Sequence, residues 1–213
     1  GLLEALMGSV DRGDLCATCQ RDARSCQGHT GHITLAYPVY HGGHIDAVLR
    51  VLRCVCYGCS RVQTTPEDAR GLIRLPASAR LQAAQAMLRT KKTCLHCGMP
   101  RPTFSRAPLG ISCDWGEDAA WSCDEEKEEC SVPFTSAIAL SILRHIPRED
   151  VELLGFDTER SHPDRMILQV VPVPPPCTRP AIYSSEGSRS RGQNDLTIRL
   201  LEVLKRSQEV AAA

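Results

Sequence analysis

Residues 16–32 read CATCQRDARSCQGHTGH, and the spacing Cys16-x2-Cys19-x6-Cys26-x2-His29 decides what kind of fold this chain can have. The Cys-x2-Cys pair returns at Cys56/Cys59 and at Cys94/Cys97. Such a turn brings two sulfurs to one metal ion, and zinc takes four soft ligands at about 2.0–2.3 Å in a tetrahedron. Two pairs complete one centre and four pairs complete two. The first centre closes locally, between residues 16 and 29. The second must join Cys56/Cys59 to Cys94/Cys97 and therefore staples segments that are distant in sequence. The expectation is two structural zinc ions. Four protein ligands at each centre leave no open position for metal catalysis.

Beyond these ligands, 213 residues allow one large domain or two small ones. Apolar residues make up 42% of the chain but aromatics only 4%. So modest a core needs help, and metal binding supplies it, because binding free energy here is folding free energy. Twelve cysteines raise disulfides as the rival. Against them stand the metal-type spacing, the inclusion of His29, and an opening GLLEALMG without a charged leader or cleavage site. A reducing compartment follows. No apolar run approaches the roughly eighteen residues of a membrane helix, so no membrane partner is expected.

Net charge is zero but unevenly spread. Residues 61–106 hold nine basic and two acidic side chains, and residues 114–129 hold eight acidic and one basic. Lys91, Lys92, Arg101 and Arg106 flank the second ligand set, while Arg189 and Arg191 sit in the polar stretch SSEGSRSRGQ. All six are candidate DNA or RNA contacts, with solvated surface as the alternative for each.

The pattern along the chain is α+β. Residues 33–40 read as a short strand kept at an edge by Pro38. Ile45, Val48, Leu49, Val51 and Leu52 recur at helical spacing and deliver Cys56 and Cys59. Ser78 is positioned to cap a second helix through residue 89, and residues 101–113 read as one or two strands. The acidic stretch 114–129 reads as an exposed excursion. Thr135 or Ser136 caps a helix that Pro147 ends, and a short helix stops at Gly155. MILQVVPV, residues 166–173, reads as a buried strand. A last amphipathic helix spans 195–210, with Leu196, Leu200, Val203 and Leu204 on one face. Cys54 and Cys177 read as small buried apolar residues. His32 could replace His29 as a ligand or hydrogen-bond beside the site, and His96 reads as exposed. Cys113, Cys123 and Cys130 are either free thiols or part of a third metal site, their spacing matching no knuckle.

The order of motifs is more specific than any one of them. CATCQRDARSCQGHTGHITLAYPVYH (16–41), RCVCYGCS (53–60), CLHCG (94–98), LLGFDTERSHPDRMILQVVPVPPPCTRP (153–180) and QNDLT (193–197) resemble the largest subunit of the multisubunit DNA-dependent RNA polymerases. The eukaryotic, archaeal and large-DNA-virus branch is the most similar. The resemblance runs from residue 1 to about 210 and implies the N-terminal clamp, an irregular zinc-stabilised clamp core and clamp head. On it, residues 1–55 are clamp core with the first zinc, 56–135 clamp head with the second zinc and the acidic insert, and 136–213 the return to clamp core. Cys16, Cys19, Cys26 and His29 match the core zinc ligands, and Cys56, Cys59, Cys94 and Cys97 match those of the head. The implied role is retention of DNA and the RNA–DNA hybrid through phosphate contacts. The implied partners are DNA, RNA, the other polymerase subunits, especially the second-largest, and transcription factors. The implied location is nuclear in a eukaryote, or cytoplasmic or virion-borne for an archaeal or viral member.

The chain also departs from that family's pattern. Ala5-Leu6 stands in place of Pro-Arg, Gln27 in place of Pro, and the Cys113–Cys130 insert has no counterpart. The family's magnesium loop, Asn-Ala-Asp-Phe-Asp-Gly-Asp, is absent from this sequence. Magnesium then belongs to the rest of the polymerase, and this segment is non-catalytic alone. The rival reading is a free-standing zinc module that binds nucleic acid or protein.

Overall fold

The computed structural model describes residues 2–9, 13–116, 134–183 and 191–212. It divides into two compact units. One joins Gly1–Tyr37 to Gln169–Ala213, and the other is Pro38–Leu168. The boundaries between the units lie within the strands β1 (Gly31–Tyr40) and β4 (Ile167–Val173). The secondary structure is helices with three small two-stranded sheets.

The second unit is built around α1, Ile45–Leu52. Its apolar residues Ile45, Val48, Leu49, Val51 and Leu52 are all buried, as their spacing requires. Around them pack Leu72, Leu88, Phe104, Ile111, Leu143, Val151 and Leu154. The helix α2, Pro66–Ile73, was not expected from periodicity. Its signal is in its first four residues: Thr65 accepts from the Asp68 amide while the Asp68 carboxylate accepts from the Thr65 amide, both at 3.2 Å, and Pro66 occupies the first turn. The helix α3 spans Ala77–Leu88 and starts one residue before the expected cap. Pro76 occupies the cap position without a side-chain bond, so Ser78 lies inside the first turn.

Residues 101–113 resolve into a hairpin of β2 (Thr103–Ala107) and β3 (Gly110–Asp114), antiparallel with Phe104 opposite Cys113. Thr135 caps α4 (Ser136–Arg144), accepting from the Ile138 amide at 3.3 Å. The helix α5, Arg148–Leu153, follows Pro147 and ends at Gly155, which adopts φ +89°. The acidic stretch from residue 117, with Cys123 and Cys130, lies outside the described residues.

In the first unit β1 pairs with β4. The buried residues Leu2, Met7, Ile33 and Val173 receive Leu200 of α6, Asp195–Ala212. One expectation is corrected in this unit. In β4 only Ile167 and Val173 are buried, and Val170 is 46% exposed, because a two-stranded sheet covers one face at most. On α6 the apolar stripe is only partly covered: Leu200 is buried, whereas Leu196 and Val203 remain exposed. A short strand pair, β5 (Ile182–Tyr183) with β6 (Arg191–Gly192), brackets residues 184–190, which lie outside the described residues. Arg179 is buried and ties the unit together through Nε to the Pro174 carbonyl (3.0 Å), one terminal nitrogen to the Thr197 hydroxyl (3.1 Å) and the other to the Leu2 carbonyl.

Cys54 is fully buried, and burial pushes its thiol up to about 12. Cys177 is exposed, contrary to expectation, because the turn after three prolines faces outward there; its Sγ donates to the Gln27 carbonyl at 3.3 Å.

Gly155 has no room for a side chain. A Cβ would lie 2.1 Å from the Ala77 carbonyl oxygen, and φ +89° disfavours any L-residue. Gly155→Ala is expected to lower stability by at least about 1–3 kcal/mol, the scale of backbone strain alone. An unchanged urea midpoint would refute that.

Candidate metal centres

Each Cys-x2-Cys is built by the same local turn, and all three copies share one hydrogen-bond pattern. The amide of the first cysteine donates to the carbonyl five residues on, Cys16 to Arg21, Cys56 to Arg61 and Cys94 to Met99, at 2.8–2.9 Å. The amide four residues on donates back to the first cysteine's carbonyl, Gln20 to Cys16, Ser60 to Cys56 and Gly98 to Cys94, at 2.8–3.0 Å. That fourth residue takes the left-handed conformation in every case: Gln20 at φ 58°, Ser60 at 56° and Gly98 at 73°. Two of the three are not glycine, a cost the turn bears only where something over-determines it. Amides also point at the sulfurs themselves, His96 to Cys94 Sγ and Gly28 to Cys26 Sγ, both at 3.4 Å.

The first ligand group is Cys16, Cys19, Cys26 and His29, with donor atoms within 4.8 Å of one another. Its second half is held by the His29 amide donating to the Met7 carbonyl at 3.0 Å. Gly28 is obligatory in this turn: φ is +84°, and a Cβ would meet Pro175 at 2.5 Å and Cys177 Sγ at 2.6 Å. His32 is exposed on β1 and outside the group. The second group is Cys56, Cys59, Cys94 and Cys97. Its halves meet with Cys56 Sγ 3.5 Å from Cys97 Sγ and Cys59 Sγ 3.7 Å from Cys94 Sγ. In the first group Cys26 Sγ lies 3.7 Å from His29 Nε2.

These separations fit a metal. A tetrahedron with bonds of about 2.0–2.3 Å has edges of roughly 3.3–3.8 Å. A disulfide would bring sulfurs to about 2.05 Å. All ten described cysteines are free, among them all seven of the two groups. Sulfur-rich sets of this kind suit soft or borderline ions. The electrostatics are uneven around each ring of ligands. Burial pushes Cys56 up to about 12, against the amides of Cys59 and Gly58. Burial also raises Cys94, but the amides of Cys97 and His96 and the neighbouring thiols outweigh it and bring Cys94 down to about 7. The same contest, with the amides of Cys19 and Thr18 prevailing over burial, brings Cys16 down to about 6. One sulfur in each group is thus drawn toward thiolate, while Cys19, Cys56 and Cys59 are raised.

An anchor that no spacing announced fixes the second centre to α5. Asp150 Oδ2 accepts from the Val62 amide at 2.8 Å, just past the Cys56/Cys59 turn, across 88 positions of sequence. Burial raises the Asp150 carboxyl, against that amide and the nearby His96 and Arg61. His96 is exposed, as expected, and its Nε2 lies 3.1 Å from the Val62 carbonyl.

The candidate nucleic-acid residues fall on separate elements. Lys91 leaves α3 with Nζ 3.3 Å from the Gln63 carbonyl and 3.6 Å from Asp68. Lys92 is exposed beside it. Arg106, on β2, reaches the Gly110 carbonyl at 3.2 Å and Asp46 at 3.6 Å. Arg101 is turned inward, its guanidinium donating to the carbonyls of Leu88 and Arg53. Arg191 contributes its backbone to β6, its side chain lying outside the described residues together with Arg189. Of the possible third ligand set, Cys113 is buried in the core, where burial pushes it up to about 11. Cys123 and Cys130 lie outside the described residues. No helix among the described residues is long and apolar enough to cross a membrane.

Comparison with known proteins covers the whole chain. The family model described as RNA polymerase Rpb1, domain 1, matches residues 1–213. The chain is 29% identical over 227 residues to the DNA-directed RNA polymerase II subunit RPB1 of Euplotoides octocarinatus, covering 99% of this chain and 46% of that protein. It is 32% identical over 217 residues to the DNA-directed RNA polymerase subunit Rpo1N of Thermococcus celer, covering 96% of this chain and 23% of that one. It is 29% identical over 220 residues to Rpo1N of Sulfolobus acidocaldarius, covering 99% and 24%. The chain thus spans between about a quarter and a half of the length of these relatives.

Two ions per chain are expected by native mass spectrometry, both lost to a chelator together with helical signal. As pH falls below the ordinary imidazole range, both centres should lose their ions steeply, because a proton replaces the metal on every thiolate and on His29 as well. Retention of either ion well below that range would contradict the assignment of these ligands.

Proposed function

This chain belongs to the RNA polymerase Rpb1 domain 1 family, and from that footing we propose that it is the zinc-bearing clamp segment of a DNA-directed RNA polymerase largest subunit. The observation that carries the reading is the coincidence of the full-length family match with two complete four-ligand groups. Zinc is the ion we assign to both, since sulfur-dominated tetrahedra with no vacant position are its structural mode. The unit formed by residues 1–37 and 169–213 would be clamp core, and residues 38–168 would carry the clamp head.

In this role the segment does no chemistry of its own. It holds nucleic acid in place while catalytic magnesium is bound elsewhere in the polymerase. Its cations would contact phosphates without reading sequence. Lys91, Lys92 and Arg106 are the described side chains we favour, joined by Arg189 and Arg191. The partners we assign are DNA, the RNA–DNA hybrid, the second-largest subunit and the factors that dock on polymerase clamps. Localisation would follow the host, nuclear in a eukaryote and cytoplasmic or virion-borne otherwise. The family match leaves a free-standing zinc module without support.

Lys91→Glu with Lys92→Glu is expected to weaken binding of the assembled polymerase to a DNA–RNA hybrid scaffold. The slope of log affinity against log salt should fall by about one for each phosphate that is no longer neutralised. A slope identical to the wild type would remove these lysines from the interface.

A further inference from the structure

Four thiolates around one divalent ion leave two surplus negative charges, whereas three thiolates and a neutral imidazole leave one. The four-cysteine centre therefore has the greater need of a nearby cation. Five cations flank its cysteine pairs in sequence, and their engagements differ. Arg61 and Lys92 are exposed, Arg61 lying near the Asp150 carboxylate. Lys91 is paired with Asp68, at 3.6 Å. Arg53 spends its guanidinium on the Phe104 carbonyl, at 3.0 and 2.7 Å. Arg101 has no carboxylate partner among the described residues.

What Arg101 touches is more informative. One terminal nitrogen donates to the carbonyl of Leu88, the last residue of α3. The other donates to the carbonyl of Arg53, which caps the C-terminal end of α1. Its own amide donates to the Lys92 carbonyl at 2.9 Å. Helix α1 runs into Cys56/Cys59 and helix α3 into Cys94/Cys97, the two halves of the ligand set. Helix C-terminal carbonyls are unsatisfied acceptors at the negative end of the helix dipole, and a planar fork can bridge two of them where a lysine ammonium cannot. Burial pushes the Arg101 guanidinium's pKa down, and the Cys54 and Cys56 side chains push it back up, which puts thiol sulfur among its electrostatic neighbours.

We propose that Arg101 is the organiser of the second metal centre: it bridges the carbonyl ends of α1 and α3 so that the two cysteine pairs converge. It is a positioning residue, not a nucleic-acid contact. This inference rests on the reading of Cys56, Cys59, Cys94 and Cys97 as a metal centre.

The test uses the full chain loaded with zinc, as wild type, Arg101→Gln and Arg101→Lys. Release to a chelator is followed by alkylation of each cysteine and mass spectrometry, so that the two centres are read separately. Arg101→Gln should release the second ion about tenfold faster or more, the usual scale for residues that support metal ligands. The first centre should keep its wild-type rate. Arg101→Lys, which keeps the charge but not the fork, should fall between. The salt slope of hybrid-scaffold binding by Arg101→Gln in the assembled polymerase should match the wild type. A wild-type release rate at the second centre of Arg101→Gln would overturn the proposal, as would equal loosening of both centres or a lowered salt slope. Failure of the metal reading would show earlier and differently, as wild-type protein with no ion on Cys56, Cys59, Cys94 and Cys97.

Discussion

A group of four ligand atoms within 4.8 Å of one another, with neighbours 3.5–3.7 Å apart, is the constraint on which both units depend. It can close only if a cysteine pair three residues apart is held in a turn whose fifth residue accepts a left-handed conformation, as Gln20, Ser60 and Gly98 do. The turn's two backbone hydrogen bonds recur in every copy, and its amides lie against the sulfurs. Backbone dipoles thereby bring Cys16 and Cys94 down in pKa although both are buried, while Cys19, Cys56 and Cys59 stay raised. The strain of two left-handed non-glycine residues is of the size that metal coordination readily sustains.

Each unit then carries polar anchors that spend buried donors and acceptors on distant backbone. In the first, Arg179 gathers the carbonyls of Pro174 and Leu2 and the hydroxyl of Thr197. In the second, Asp150 holds the Val62 amide and Arg101 holds the ends of two helices. A buried cation or carboxylate is costly unless its hydrogen bonds are made, so each anchor specifies one arrangement of its neighbours. This matters in a chain whose aromatic content is 4% and whose first-unit core rests on Leu2, Met7, Ile33, Val173 and Leu200. Packing alone would leave such a unit marginal.

Nothing in either centre offers a metal an open coordination position, and the cations at the surface sit on different elements. On the function proposed above, such a segment would hold charge in place while the chemistry is done elsewhere in the polymerase. The exposed apolar residues of α6 and the exposed cations of the 61–106 region are what such a segment would present to its surroundings.

Much of this was legible from residue order. The grouping of the cysteines with His29 followed from spacing, because a Cys-x2-Cys turn is short enough for covalent geometry to settle where its sulfurs go. The helix α1 followed from its apolar period, and the family from the succession of motifs. The helix α2 was legible but unread, its capping box at Thr65–Asp68 being a local signal in a segment without strong periodicity. Tertiary structure alone decided the rest. The inward turn of Arg101, the exposure of Cys177 and Val170, and the bond of Asp150 to a knuckle 88 positions away depend on which surfaces the fold brings together. A guanidinium four residues past a zinc knuckle has the same sequence signature whether it faces phosphate or two helix ends; only the carbonyls within its reach tell the two apart.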